Sequence, residues 1–131
     1  SMEATVLTTE EEGIGLLLGA WLGGERGVLL MQSSGVGNCL NTLSLVQSAR
    51  FPFLTLVTMR GEWAEFNGWQ KPMASVTEQA FELMDVLVYR AEQTDEAAEL
   101  VSAVADTVFN GDLAAAVLFS QRMIGRKEWA K

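Results

Sequence analysis

Gly27-Val28-Leu29-Leu30-Met31 runs straight into Gln32-Ser33-Ser34-Gly35-Val36-Gly37-Asn38, a polar segment spaced by glycines. The first part is apolar on consecutive positions rather than on alternate ones, which suits a strand covered on both faces. Asn38 can cap a following helix that carries Leu40, Leu43, Val46 and Ala49. Strand, glycine turn and helix form one unit, and the same order recurs along the chain. Strands are expected at Thr5-Val6-Leu7-Thr8, at 53–59 (Phe-Leu-Thr-Leu-Val-Thr-Met), at Asp85-Val86-Leu87-Val88-Tyr89 and at Ala115-Ala116-Val117-Leu118-Phe119. Helices are expected between them. One spans Glu12 to Leu22, with Glu10, Glu11 and Glu12 favouring its N-terminal dipole. Ser75-Val76-Thr77-Glu78 has the pattern of a capping box, ahead of Ala80, Phe81 and Met84. Thr94 is the expected cap of a long helix with Ala97, Leu100, Val101, Val104 and Val108 on one stripe, closed by Asn110-Gly111. Strand–helix alternation implies α/β architecture: a three-layer α/β/α domain around a mostly parallel sheet.

At 131 residues the chain is expected to form a single domain, 1–131, in which Ser1-Met2 reads as a tag scar. Hydrophobic residues make up 49% and charged ones 20%, which excludes a disordered chain. Seventeen acids against nine bases leave a charge of −8, too little positive surface for nucleic acid or an anionic membrane. There is no histidine, so Ser–His and Cys–His nucleophile pairs and histidine-ligated metals are excluded. One cysteine, Cys39, allows no internal disulfide and fits a reducing compartment. Its place on the apolar side of its helix suits a small buried hydrophobe better than a nucleophile. The longest uncharged stretch, 27–49, is too polar for a membrane span, and no signal peptide is visible. The expected location is cytoplasmic.

Three stretches at expected strand ends could carry chemistry. Thr9-Glu10-Glu11-Glu12-Gly13-Ile14-Gly15 places carboxylates at a helix start lightened by Gly13, Gly15 and Gly19. Those acids either solvate the helix end or direct a hydrogen bond at a ligand. Gln32 to Asn38 can turn backbone N–H groups toward a cleft or simply make a tight turn. It matches neither a Walker loop nor the dinucleotide fingerprint. Thr58-Met59-Arg60-Gly61-Glu62 offers an arginine that could clamp an anion, or pair with Glu62 or Glu65. In a parallel sheet all three lie along one edge, where such folds bind ligands. The connection from Arg60 to Ala74 is long and apolar, with Trp63, Phe66, Trp69, Pro72 and Met73, and is expected to lie against something.

Taken together, residues 9–15, 19–22 (Gly-Ala-Trp-Leu), 30–38, 59–62 and 69–73 (Trp-Gln-Lys-Pro-Met) resemble the pyrimidine-binding domain of thiamine-diphosphate enzymes. The branch they look most like is the sulfopyruvate and phosphonopyruvate decarboxylases, in particular the α subunit of the two-chain form. The resemblance implies that Glu11 hydrogen-bonds the cofactor's aminopyrimidine, with Glu10 and Glu12 as neighbouring alternatives. Such a carboxyl favours the imino tautomer, whose 4′-nitrogen can take the proton that activates the thiazolium for decarboxylation. It further implies that Gly35, Val36, Gly37 and Asn38 flank the pyrimidine and that Arg60 lies near the substrate.

The resemblance also sets the expected partners. The diphosphate–Mg²⁺ motif belongs to a second domain, the β subunit of the two-chain form, and has no counterpart here. This chain is thus expected to share thiamine diphosphate with a β-type partner that holds the metal, to act on a small anionic 2-oxo acid, and to be inactive alone. The family's helix–strand–helix unit, roughly 30 residues or more, precedes the segment matched by Ala4-Thr5-Val6 and is lacking from this sequence. That leaves an alternative: a truncated, non-catalytic dimeric relative that binds no cofactor. Either reading predicts a homodimer or a hetero-oligomer.

Overall fold

The computed structural model describes residues 3–126 and Glu128; the expected tag scar at Ser1-Met2 lies outside them. In chain order the elements are α1 (Glu10–Leu22), β1 (Leu29–Gln32), α2 (Ser33–Cys39), α3 (Ser44–Ala49), β2 (Phe53–Thr58), a 3₁₀ turn (Gly68–Gln70), α4 (Lys71–Ala74), α5 (Thr77–Leu83), β3 (Leu87–Ala91), α6 (Thr94–Gly111), β4 (Ala114–Phe119) and α7 (Gln121–Ile124). The four strands form one sheet in the order β1-β2-β4-β3. Every pairing is parallel, with Leu29 beside Thr55, Phe53 beside Ala114 and Leu87 beside Ala115. The three-layer α/β/α expectation therefore holds.

Consecutive apolar residues in the strands feed two cores. On one face Ile14, Leu29, Met31, Val36, Cys39, Leu43, Phe53, Val57 and Phe81 pack beneath α1, α2, α3 and α5. On the other, Leu54, Ala115 and Val117 meet Val104 and Val108 of α6. The stripe read from α6 is thus the one it buries. β4, the most buried strand, sits centrally between β2 and β3. Thr55 keeps its hydroxyl in this core by donating to the Leu29 carbonyl at 3.0 Å.

Five expectations are corrected. Residues Thr5–Thr8 form no strand: Val6 is 97% exposed, and apolar β-branched residues make a strand only where a neighbour pairs with them. The sheet among the described residues therefore has four strands, not five. Asn38 does not cap a new helix. The glycine-spaced segment is itself helical from Ser33, and Asn38 lies inside that helix. Ser75 does not open α5 but closes α4 as its C-cap, its hydroxyl donating to the Pro72 carbonyl, and α5 opens at Thr77 behind Val76. The cap of α6 is Gln93 rather than Thr94, because the Glu96 carboxylate reaches back to the Gln93 N–H at 3.0 Å.

The parallel order puts all four strand ends on one carboxyl edge: Gln32, Thr58, Ala91 and Phe119. The opposite edge is made of tight helix-to-strand turns. Arg50, Asp85 and Asp112 occupy them in the left-handed conformation, with φ of 52°, 55° and 52°.

Candidate functional site

The three acids at the start of α1 have separate fates. Glu12 turns back on its own helix start and accepts the Thr8 N–H at 2.7 Å. Glu10 reaches across to α2, where its Oε2 accepts from the Asn38 amide nitrogen at 2.9 Å. Glu11 is half-buried, and its Oε2 is buried with no hydrogen-bond partner. A buried carboxylate oxygen left unpaired costs about 1–3 kcal/mol, more when charged. It is therefore the acid of the three with an unmet demand for a hydrogen-bond donor.

The glycines explain how α1 and α2 come so close. A Cβ placed on Gly35 would stand 2.5–2.7 Å from Cγ, Cδ and Oε1 of Glu10, so the Glu10 side chain occupies the space that a larger residue would take. A Cβ on Gly37 would stand 2.9 Å from the Met73 sulfur, so α4 closes on another face of the same short helix. Val36 is fully buried and fixes α2 in the core. Glu10 is thus set against Gly35 and Asn38 of α2, and Glu11, next to it on α1, is near enough to α2 for its charge to act on Cys39. Cys39 sits beneath it: burial, with the charges of Glu10 and Glu11, pushes its thiol up to about 12. Such a thiol stays protonated and is no nucleophile.

Arg60 lies farther along the carboxyl edge and is almost wholly buried. Its Nε and Nη2 form a fork on the Glu65 carboxylate at 2.8 and 2.7 Å, and its Nη1 donates to Gln32 Oε1 at 3.3 Å. Its ring partner is Phe66, at 5.7 Å from the centroid. Glu65, with a side chain 1% exposed, also accepts from the N–H groups of Gly61 and Asn67 and from Gln121 Nε2. Arg60 above all, with the other three donors, holds the Glu65 carboxyl down at about 2. Gln121 closes the cluster, its Oε1 accepting from the backbone of Glu62 and Trp63 at 2.9 and 3.0 Å. Sequence reasoning offered Glu65 only as one possible partner of Arg60 and missed Gln121 altogether. Contacts between residues so far apart in the chain leave no local pattern.

The long 60–74 connection is pinned by this cluster but shows its aromatics to solvent, with Trp69 76% exposed. Two surface hollows of about 370 and 410 Å³ lie elsewhere. One sits among the turns of Arg50, Asp85 and Asp112, the other between residues 5–8 and α1. Neither is lined by Glu11 or by residues 35–38. Among the described residues no group of three or more Cys, Asp or Glu could hold a metal ion. No helix among them is long and apolar enough to cross a membrane.

No family model matches the chain. It is 36% identical over 113 residues to the sulfopyruvate decarboxylase subunit alpha of Methanococcus maripaludis, spanning 86% of this chain and 68% of that protein. It is 31% identical over the same length to the corresponding subunit of Methanocaldococcus jannaschii, 67% of which is covered. A shorter stretch of 60 residues is 43% identical to the phosphonopyruvate decarboxylase of Streptomyces viridochromogenes, covering 15% of that protein.

Proposed function

The chain belongs to the family of sulfopyruvate decarboxylase α subunits, and from that premise we propose that it is the α-type subunit of a thiamine-diphosphate-dependent 2-oxo-acid decarboxylase. It binds the aminopyrimidine of the cofactor at a subunit interface, and its substrate is of the sulfopyruvate or phosphonopyruvate type. One observation carries this reading: the Glu11 Oε2, in the first turn of α1, is buried and has no hydrogen-bond partner. A heteroaromatic ring nitrogen is the kind of atom that would satisfy it.

The residues present fit such a group. Glu11 supplies a carboxyl able to share a proton with a ring nitrogen through Oε2. Glu10, tied to Asn38, is already engaged and cannot take over without giving up that bond. Gly35 and Gly37 keep α2 free of side chains where α1 and α4 close on it. When bound, thiamine diphosphate supplies the electron sink that a 2-oxo acid needs for loss of CO2. On this reading the diphosphate and its Mg²⁺ are held by a β-type partner. Leu16, Leu22, Leu30 and Trp69 are exposed apolar side chains suited to a subunit contact.

The test is reconstitution. The chain is mixed with a β-type subunit of the family, thiamine diphosphate, Mg²⁺ and sulfopyruvate or phosphonopyruvate, and CO2 release is followed. Cofactor-dependent release that needs both chains is the expected result. A complex that forms yet binds no thiamine diphosphate by calorimetry overturns the reading in favour of a non-catalytic relative.

A further inference from the structure

We propose that Arg60 and Glu65 are positioning residues that seat the start of α2, rather than groups that contact the substrate. Arg60 faces both ways from the end of β2. Its guanidinium fork and the Gly61 N–H bind one carboxylate, Glu65, which organises the 61–67 loop. Its other contacts run to the β1–α2 junction. The Nη1 group holds Gln32 Oε1, and the backbone N–H donates to Ser33 Oγ at 3.1 Å. Gln32 is the residue before the first turn of α2, and Ser33 opens the helix that carries Gly35 to Asn38.

Three further features favour this role over substrate binding. Nε, Nη1 and Nη2 of Arg60 are all engaged, and the residue is almost wholly buried. A substrate anion would have to displace a carboxylate that five donors hold. Gln121 locks the same carboxylate from the end of β4, so the cluster joins three strand ends and does not rest on one flexible loop. A fork of two parallel N–H bonds on a buried carboxylate fixes orientation as well as distance.

The catalytic consequence rests on the cofactor reading above; the mechanical coupling does not. The experiment therefore has two arms. In the first, amide hydrogen exchange of the chain is compared for the unaltered protein, Glu65→Gln, Gln32→Ala and Arg90→Lys. Glu65→Gln is expected to speed exchange over residues 33–39 as well as 61–67 by about tenfold or more, leaving α6 unchanged. Gln32→Ala, which removes the Nη1 half of the link without touching the carboxylate and leaves the Arg60 N–H on Ser33 Oγ, is expected to loosen 33–39 alone. Arg90→Lys, on an outer pair with Glu62 and Glu92, is expected to leave 33–39 untouched. A folded Glu65→Gln or Gln32→Ala protein with unchanged exchange at 33–39 overturns the inference. Should Glu65→Gln fail to fold, Gln32→Ala decides alone.

The second arm uses the reconstituted two-chain enzyme. Glu65→Gln and Arg60→Lys are expected to raise the thiamine diphosphate needed for half-maximal rate by about 10- to 100-fold, as misplacing a binding element does, while kcat at saturating cofactor changes little. A rise in substrate KM with an unaltered cofactor requirement would instead make Arg60 a substrate contact and overturn the proposal. If α2 loosens but the unaltered complex shows no cofactor-dependent activity, the cofactor reading falls and the coupling stands.

Discussion

Glu11 and Glu65 are both carboxylates with buried oxygens, and the chain treats them in opposite ways. Glu65 accepts from five donors, and its side chain is sealed from solvent. Glu11 has a buried oxygen with no donor at all. The first arrangement is complete within this polypeptide, so its role is to hold the fold. The second is incomplete, and a buried polar atom without a partner is costly unless something outside the chain supplies one. The contrast separates an acid that builds the molecule from one that, on the reading proposed above, is kept for the cofactor.

The contrast is open to direct attack. The largest effect is expected for Glu11→Gln in the assembled enzyme: a loss of about 10²- to 10⁴-fold in kcat, the span typical of a positioned acid–base group. The same substitution is expected to leave the melting temperature of the chain unchanged or raised, since no donor is abandoned. A clear drop in melting temperature would put Glu11 in the same class as Glu65. Next, Glu65→Ala is expected to destabilise the chain by about 3–5 kcal/mol, as breaking one side of a buried ion pair does. The denaturant midpoint measures it.

Glu65 also leaves a mark on the pH dependence of stability. The folded value of Glu65, about 2, lies below its unfolded value, which is about 4.3. Its contribution is therefore fully present above the unfolded value and is lost as pH falls through the folded one. Acid unfolding of the chain should steepen in that window, and Glu65→Gln should remove the steepening. A midpoint curve identical in both proteins would mean that Arg60 does not hold the charge.

Smaller changes probe the neighbour Glu10. Gly35→Ala sets a Cβ against the Glu10 side chain and is expected to cost about 1–3 kcal/mol as Glu10 is pushed aside. Asn38→Ala removes one donor to Glu10 and is expected to cost about 1 kcal/mol. Its sharper use is in combination with Glu11→Gln. Partial recovery of activity in the double variant would show that a freed Glu10 can stand in for Glu11.

Much of this was legible beforehand, for reasons that differ by residue. The acids of α1 declare themselves, because charge at a helix N-terminus is a local rule. The central strands β2 and β4 read correctly as covered on both faces, whereas β1 and β3, read the same way, are sheet edges that leave Leu30 and Leu87 exposed. Thr5–Thr8 misled because strand propensity says nothing of whether an adjacent strand exists. Residues 33–39 were read as a turn before a helix, yet Gly35 and Gly37 are tolerated inside one because α1 and α4 need the room. The Glu65 cluster stayed hidden since Gln121, Arg60 and Gln32 meet only after the sheet has formed.

The strand order has a consequence for how the molecule is made. β4 is the last of the four strands among the described residues, yet it lies between β2 and β3. On a ribosome, β1 and β2 can pair early, but β3 emerges with no neighbour to join and must wait until β4 leaves the exit tunnel. Until then the apolar flanks of β2 and β3 are open to chaperones and to other nascent chains. Synthesis of this protein is thus expected to depend on assistance for as long as the keystone strand is still unborn.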